Sequence, residues 1–152
     1  MAHFIIKSGA KNALSGKMIC ELTDRLDEIY RWCGETEDND ARCLMIRGDG
    51  NTFCSGGDLV SVRESFAEPA LALELAQLMQ YNLARLEQLP LVSVAFIQGY
   101  TLGGGAELAL GVDMRIMCDI GLIGFVHAKN GICCGWGGGA RLIELDHHLY
   151  IY

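Results

Sequence analysis

Proline and positive charge are the scarce commodities of this chain. Only two prolines occur in 152 residues, so a proline-rich linker or polyproline segment is excluded. Basic residues number 12 against 19 acidic ones, and no basic block forms a track for nucleic acid or polyphosphate. A nucleic-acid partner is therefore not expected, although backbone N–H groups can still bind an anion against the net charge. No apolar run approaches the roughly 20 residues of a membrane span. The start, Met1 to Lys7, lacks the apolar core of a secretory signal, so a soluble protein without membrane association is expected. Neither GxxxxGK[ST] nor GxGxxG is present, which removes the usual grounds for a nucleotide site. No CxxC pair is present either. The seven cysteines, Cys20, Cys33, Cys43, Cys54, Cys118, Cys133 and Cys134, are odd in number and poorly spaced for zinc. They read as free thiols in a reducing compartment, the cytosol before the mitochondrion; no metal site is expected.

About half of the residues are apolar (51%), enough for one compact core. From Gly16 to Cys33, the spacing of Met18, Ile19, Leu22, Leu26, Ile29 and Trp32 predicts an amphipathic helix. A second helix is predicted from Ala70 to Leu89, with Leu71, Leu75, Leu78, Met79, Leu83 and Leu86 on its apolar face and Pro90 closing it. Cys43 to Ile46 and Leu91 to Ile97 are strand-like, as are Met114 to Cys118 and Leu122 to Val126. A short helix is predicted from Gly105 to Gly111, and residues 35–40 form an acidic turn. Helices alternating with short buried strands predict an α/β fold with parallel or mixed sheets.

Two glycine-rich loops carry the chemistry. Phe53-Cys54-Ser55-Gly56-Gly57-Asp58-Leu59 and Gly99-Tyr100-Thr101-Leu102-Gly103-Gly104-Gly105-Ala106-Glu107 each follow a strand and lead into a helix. Taken singly, each reads as a tight turn, with Asp58 as a helix cap in the first. Three consecutive glycines would be costly inside a helix, so they permit unusual dihedrals or close approach by another group. Together, two such loops can aim backbone N–H groups at an oxygen that becomes negative during reaction. One donor of that kind contributes roughly 3–4 kcal/mol in the transition state.

FCSGGDL, IQGYTLGGGAELAL, VDMRIMCD and FVHAKNGICCGWGGGARL stand in the order and separation of the crotonase, or enoyl-CoA hydratase, superfamily, which this chain resembles up to about Glu144. Phe125-Val126-His127, Trp136-Gly137-Gly138 and Asn51-Thr52-Phe53 resemble the branch that decarboxylates ethylmalonyl-CoA. The resemblance implies one partial crotonase-like domain over 1–152, a ββα superhelix core with parallel or mixed sheets flanked by helices. Relatives continue beyond the equivalent of Leu145 into helices that close the acyl pocket and support trimers. That C-terminal helical region is expected to be missing here, which puts catalytic competence in question.

What the resemblance implies for the site is specific. The oxyanion donors fall on the N–H groups of Gly57 and Gly104. Glu107 takes the place of the first glutamate of the hydratases, and His127 stands where they carry the second. Lys11, Cys54 and Ser55 are the candidates for contact with the coenzyme, and Tyr100 and Trp136 for the walls of the acyl pocket. Cys133-Cys134-Gly135 replaces a proline-containing turn. The implied reaction is decarboxylation of a short α-carboxyacyl-CoA, ethylmalonyl-CoA or methylmalonyl-CoA, with coenzyme A as part of the substrate and no separate cofactor. Two other readings stay open: an enoyl-CoA hydratase or isomerase using Glu107, and an impaired form that only binds acyl-CoA or associates with other subunits. Asp113 and Asp119 are expected to anchor turns, and His147-His148 to carry no site.

Overall fold

The computed structural model describes residues 2–9, 11–35 and 41–148. The acidic turn expected at 35–40 falls almost wholly outside them, as do the His147 and His148 side chains. Chain order is β1 (Ala2–Ile6), α1 (Gly16–Glu35), β2 (Cys43–Gly48), β3 (Thr52–Cys54), α2 (Leu59–Ala67), α3 (Pro69–Glu87), β4 (Val92–Ile97), β5 (Tyr100–Leu102), α4 (Gly104–Leu110), β6 (Met114–Met117), β7 (Leu122–Gly124), a 3₁₀ turn (His127–Asn130) and α5 (Gly138–His148). Two sheets result, ordered β1-β2-β4-β6 and β3-β5-β7. Every strand pair in them is parallel. From β2 onward, each coil of the chain lays one strand in the large sheet and the next in the small sheet, with helical segments following each such pair.

The principal core lies where α1 and α3 cover the large sheet. Ile19, Leu22 and Leu26 from α1 meet Met79, Leu83 and Leu86 from α3 over Leu44, Ile46, Ala95 and Ile97. Each fully buried leucine or methionine there contributes about 1.5–3 kcal/mol relative to exposure. Buried Asn82 ties the helices together: its Nδ2 donates to the Ile19 carbonyl at 3.1 Å, and its Oδ1 accepts from Thr23 Oγ1 at 3.1 Å. Ser15 caps α1 by accepting the Met18 N–H at 3.4 Å. The apolar face expected of α3 is narrower than its sequence implies, because Leu71 is exposed while Leu83 and Leu86 are buried.

Asn12 fixes the approach to the first glycine loop. It adopts a left-handed φ of 58°, and its Nδ2 donates to the carbonyls of Asp49 (2.9 Å) and Thr52 (2.7 Å). At Gly48 a β-carbon would lie 1.9 Å from the Thr52 carbonyl oxygen, so only glycine lets the chain double back from β2 into β3. Asp113 anchors its turn as expected, with Oδ2 accepting both the N–H and the hydroxyl of Ser93 at 2.7 Å.

Candidate active site

Both glycine loops leave the small sheet and converge on a cavity of about 540 Å³. Gly57 follows β3 and Gly104 follows β5, and these strands are hydrogen-bonded neighbours, so the two amides are brought side by side. Each is preceded by a glycine with positive φ, Gly56 at 100° and Gly103 at 54°. That conformation turns the following N–H out of the strand, and a side chain there would be strained. Among the described residues, neither the Gly57 nor the Gly104 N–H is donated to a protein acceptor. A β-carbon on Gly56 would come within 2.7 Å of the Leu102 carbonyl oxygen and 3.2 Å of the Gly104 nitrogen. Asp58 caps α2, accepting the Val60 N–H at 3.3 Å.

Glu107, one turn into α4, is almost completely buried at 1% exposure. A buried carboxylate is costly without partners. Here both oxygens are engaged: Oε2 accepts the N–H groups of Trp136 (2.9 Å) and Gly138 (2.8 Å), and Oε1 lies 2.9 Å from His127 Nε2. The opposite ring nitrogen, Nδ1, lies 3.5 Å from Cys134 Sγ. Burial, followed by the nearby Glu107 charge, raises the Cys134 thiol pKa and keeps it protonated. In the neutral imidazole, therefore, S–H donates to Nδ1 and Nε2–H donates to Glu107. The three side chains are close enough to be considered as metal ligands. However, the ring offers opposite nitrogens to its two neighbours, and both Glu107 oxygens are already engaged. The arrangement is that of a hydrogen-bonded chain.

Gly57, Gly104, Glu107, His127, Ser55 and Trp136 all line the cavity, so the structure brings six of the nine sequence candidates together. The other three lie elsewhere. Cys54 is fully buried behind the loop, its thiol pushed up to about 12 by desolvation, and it faces the core. Tyr100 is 54% exposed at the start of β5 and does not line this cavity. The Lys11 side chain borders a separate open depression with Lys7 and Asp49. Its backbone carbonyl nevertheless supports the first loop by accepting the Ser55 N–H at 3.2 Å. Sequence reasoning missed Cys134, whose distance from His127 no spacing rule announces. It also missed Leu59 and Val60, which line the cavity while remaining largely exposed. An apolar pair directly after the Gly-Gly-Asp turn was their only signal.

Comparison with known proteins agrees with this geometry. The chain is 45% identical over 134 residues to ethylmalonyl-CoA decarboxylase of Xenopus laevis and 40% identical over 134 residues to that of Homo sapiens. Each match takes in 88% of this chain, which spans about 42% and 41% of the length of those two relatives. Among solved structures, an enoyl-CoA hydratase from Bacillus anthracis superposes with a TM-score of 0.81 at 30% identity, covering 94% of this chain and 53% of that one. The enoyl-CoA hydratase/isomerase profile matches residues 5–145, and with the paired glycine loops and the two parallel sheets this establishes that the chain belongs to that family.

Proposed function

We propose that this chain carries the thioester-enolate site of a decarboxylase acting on a short α-carboxyacyl-CoA such as ethylmalonyl-CoA or methylmalonyl-CoA. The observation that carries the proposal is the saturation of Glu107, whose two oxygens already serve two backbone amides and His127. Hydration of an enoyl thioester calls for carboxyl groups free to position and deprotonate water. Glu107 is not free, and the second such position holds a histidine. Similarity to ethylmalonyl-CoA decarboxylases supports the same reading.

In this mechanism the thioester carbonyl oxygen sits between the Gly57 and Gly104 N–H groups. The bond from the α-carbon to the carboxylate breaks, CO2 leaves, and the electron pair passes into the thioester enolate. The same two donors hold the enolate oxygen. His127, on the cavity wall, supplies from Nε2–H the proton that the α-carbon takes up, while Nδ1 takes the Cys134 S–H proton and the thiolate is reprotonated from solvent. Seven free thiols fit work in a reducing compartment, the cytosol. Assembly with further copies, a trimer, belongs to the same proposal and is supported by the apolar side chains exposed along β6 and β7.

The test is to incubate the purified, folded chain with ethylmalonyl-CoA and with crotonyl-CoA and to follow products by mass. Butyryl-CoA from the first is expected, with a loss of at least tenfold in His127→Gln. Hydration of crotonyl-CoA without decarboxylation would replace this reading with a hydratase. Binding of butyryl-CoA with no turnover of either substrate would reduce the chain to an acyl-CoA-binding subunit.

A further inference from the structure

Behind the main cavity lies a second, smaller space of about 100 Å³, formed where the start of α1 meets α2 and α3. Its lining is almost wholly apolar, with Leu14, Ile19, Leu75 and Ala76 prominent. Gly57, Val62 and Trp136 line both spaces. Of these, only Trp136 is large enough to act as a partition.

Trp136 is also held firmly. Its N–H donates to Glu107 Oε2 at 2.9 Å, and its carbonyl accepts from Arg141 Nη1 at 3.0 Å. Arg141 in turn pairs with Glu87 at the end of α3. The six-membered edge of the indole lies so close to the Gly104 α-carbon that a β-carbon there would be 2.1 Å from it. The indole therefore packs against the Gly104 α-carbon, and a thioester carbonyl held at the Gly104 N–H, as proposed above, would start its acyl carbons near it.

We propose that Trp136 sets the upper length of the acyl chain by closing the thioester cavity off from this second chamber, which would otherwise take the alkyl tail of a medium-chain acyl-CoA. The inference rests on the acyl-CoA reading given above and adds the class of substrate to it. A wall of this kind acts through steric exclusion, and each methylene admitted to an apolar chamber improves binding about fourfold.

Non-hydrolysable ketone analogues of acyl-CoA, in which a methylene replaces the thioester sulfur and the carbonyl carries alkyl chains from ethyl to octyl, titrated by calorimetry, test the proposal without depending on turnover. In the natural chain, affinity should rise to about butyl and then level or fall. In Trp136→Ala it should continue to rise, about fourfold per methylene, through hexyl. The double variant Trp136→Ala with Ala76→Phe refills the chamber and should restore the short cut-off. Trp136→Leu serves the same purpose if the alanine variant fails to fold. Equal affinity of the natural chain for butyl and octyl overturns the wall, as does a length profile unchanged by the Trp136 substitutions. Failure of the natural chain to bind a ketone analogue of any length removes the acyl-CoA reading itself, and the wall with it.

Discussion

Gly57 and Gly104 share one proposed task under different steric constraints, and the difference is measurable. A β-carbon on Gly57 would meet only Val62 Cγ2, at 3.2 Å, a contact relieved by a shift of a few tenths of an ångström, whereas on Gly104 it would enter the indole of Trp136. Thermal unfolding should show Gly57→Ala near the natural chain, and Gly104→Ala destabilised by about 1–3 kcal/mol through overpacking. Cys134 offers a second contrast. Removal of its thiol in Cys134→Ala takes away the hydrogen bond to His127 Nδ1, worth about 1 kcal/mol, and should slow decarboxylation about fivefold. Cys134→Ser, which keeps a donor, should recover most of that rate, and an equal loss in both variants would show that packing alone matters. At this scale the sequence was legible wherever chemistry is tied to residue type and motif, as for the two glycines, Glu107 and His127. It was silent on Cys134 because seven cysteines look alike in a sequence, and it named Tyr100, which does not line the cavity, because an aromatic beside a glycine loop can point to either face of a strand.

Among the elements, the long helices were legible, and so were the short β6, β7 and α4, but β3 and β5 were not. The apolar period of α1 and α3 and the β-branched run of β4 predicted their extents to within a few residues. β3 and β5, with three residues each, are too short for alternation to show and read as loop. Their pairing is nevertheless what sets the Gly57 and Gly104 amides, the proposed oxyanion donors, side by side. Within β3 lies Cys54, whose thiol pKa is raised from 9.0 to about 12 by burial. The folded state thus holds that proton more tightly than the unfolded chain does. Its contribution to stability is complete below about pH 9 and is lost as pH rises towards 12, with a slope of about 1.4 kcal/mol per pH unit. Denaturant titrations at increasing pH should show this alkaline loss, and Cys54→Ala should flatten it. At neutral pH, thiol reagents should modify the exposed Cys20 and Cys133 quickly and leave Cys54 intact until unfolding.

For the whole molecule, the distribution of apolar surface is the dominant feature. Met114, Ile116 and Met117 on β6, Ile120 in the following turn, and Leu122 and Ile123 on β7 are all more than a third exposed. They lie on the last strand of each sheet, with Ile120 in the turn joining the two. Exposed apolar side chains so concentrated favour association, so sedimentation should detect concentration-dependent self-association. Ile120→Lys with Met117→Lys should shift that equilibrium towards monomer while leaving the melting temperature nearly unchanged.

The coiled path of the chain has one more consequence. Gly57 comes from one coil, Gly104 from the next, and His127 follows the strand pair of the third, so the cavity is assembled from neighbours that touch chiefly the coil before and after. Such layers open first at sheet edges, here β6 and β7. Fraying there separates His127, the proposed proton donor, from the two glycine amides while these still face the cavity. On the proposed function, turnover is lost before acyl-CoA binding, and hydrogen exchange should find the His127 turn opening well ahead of β3 and β5.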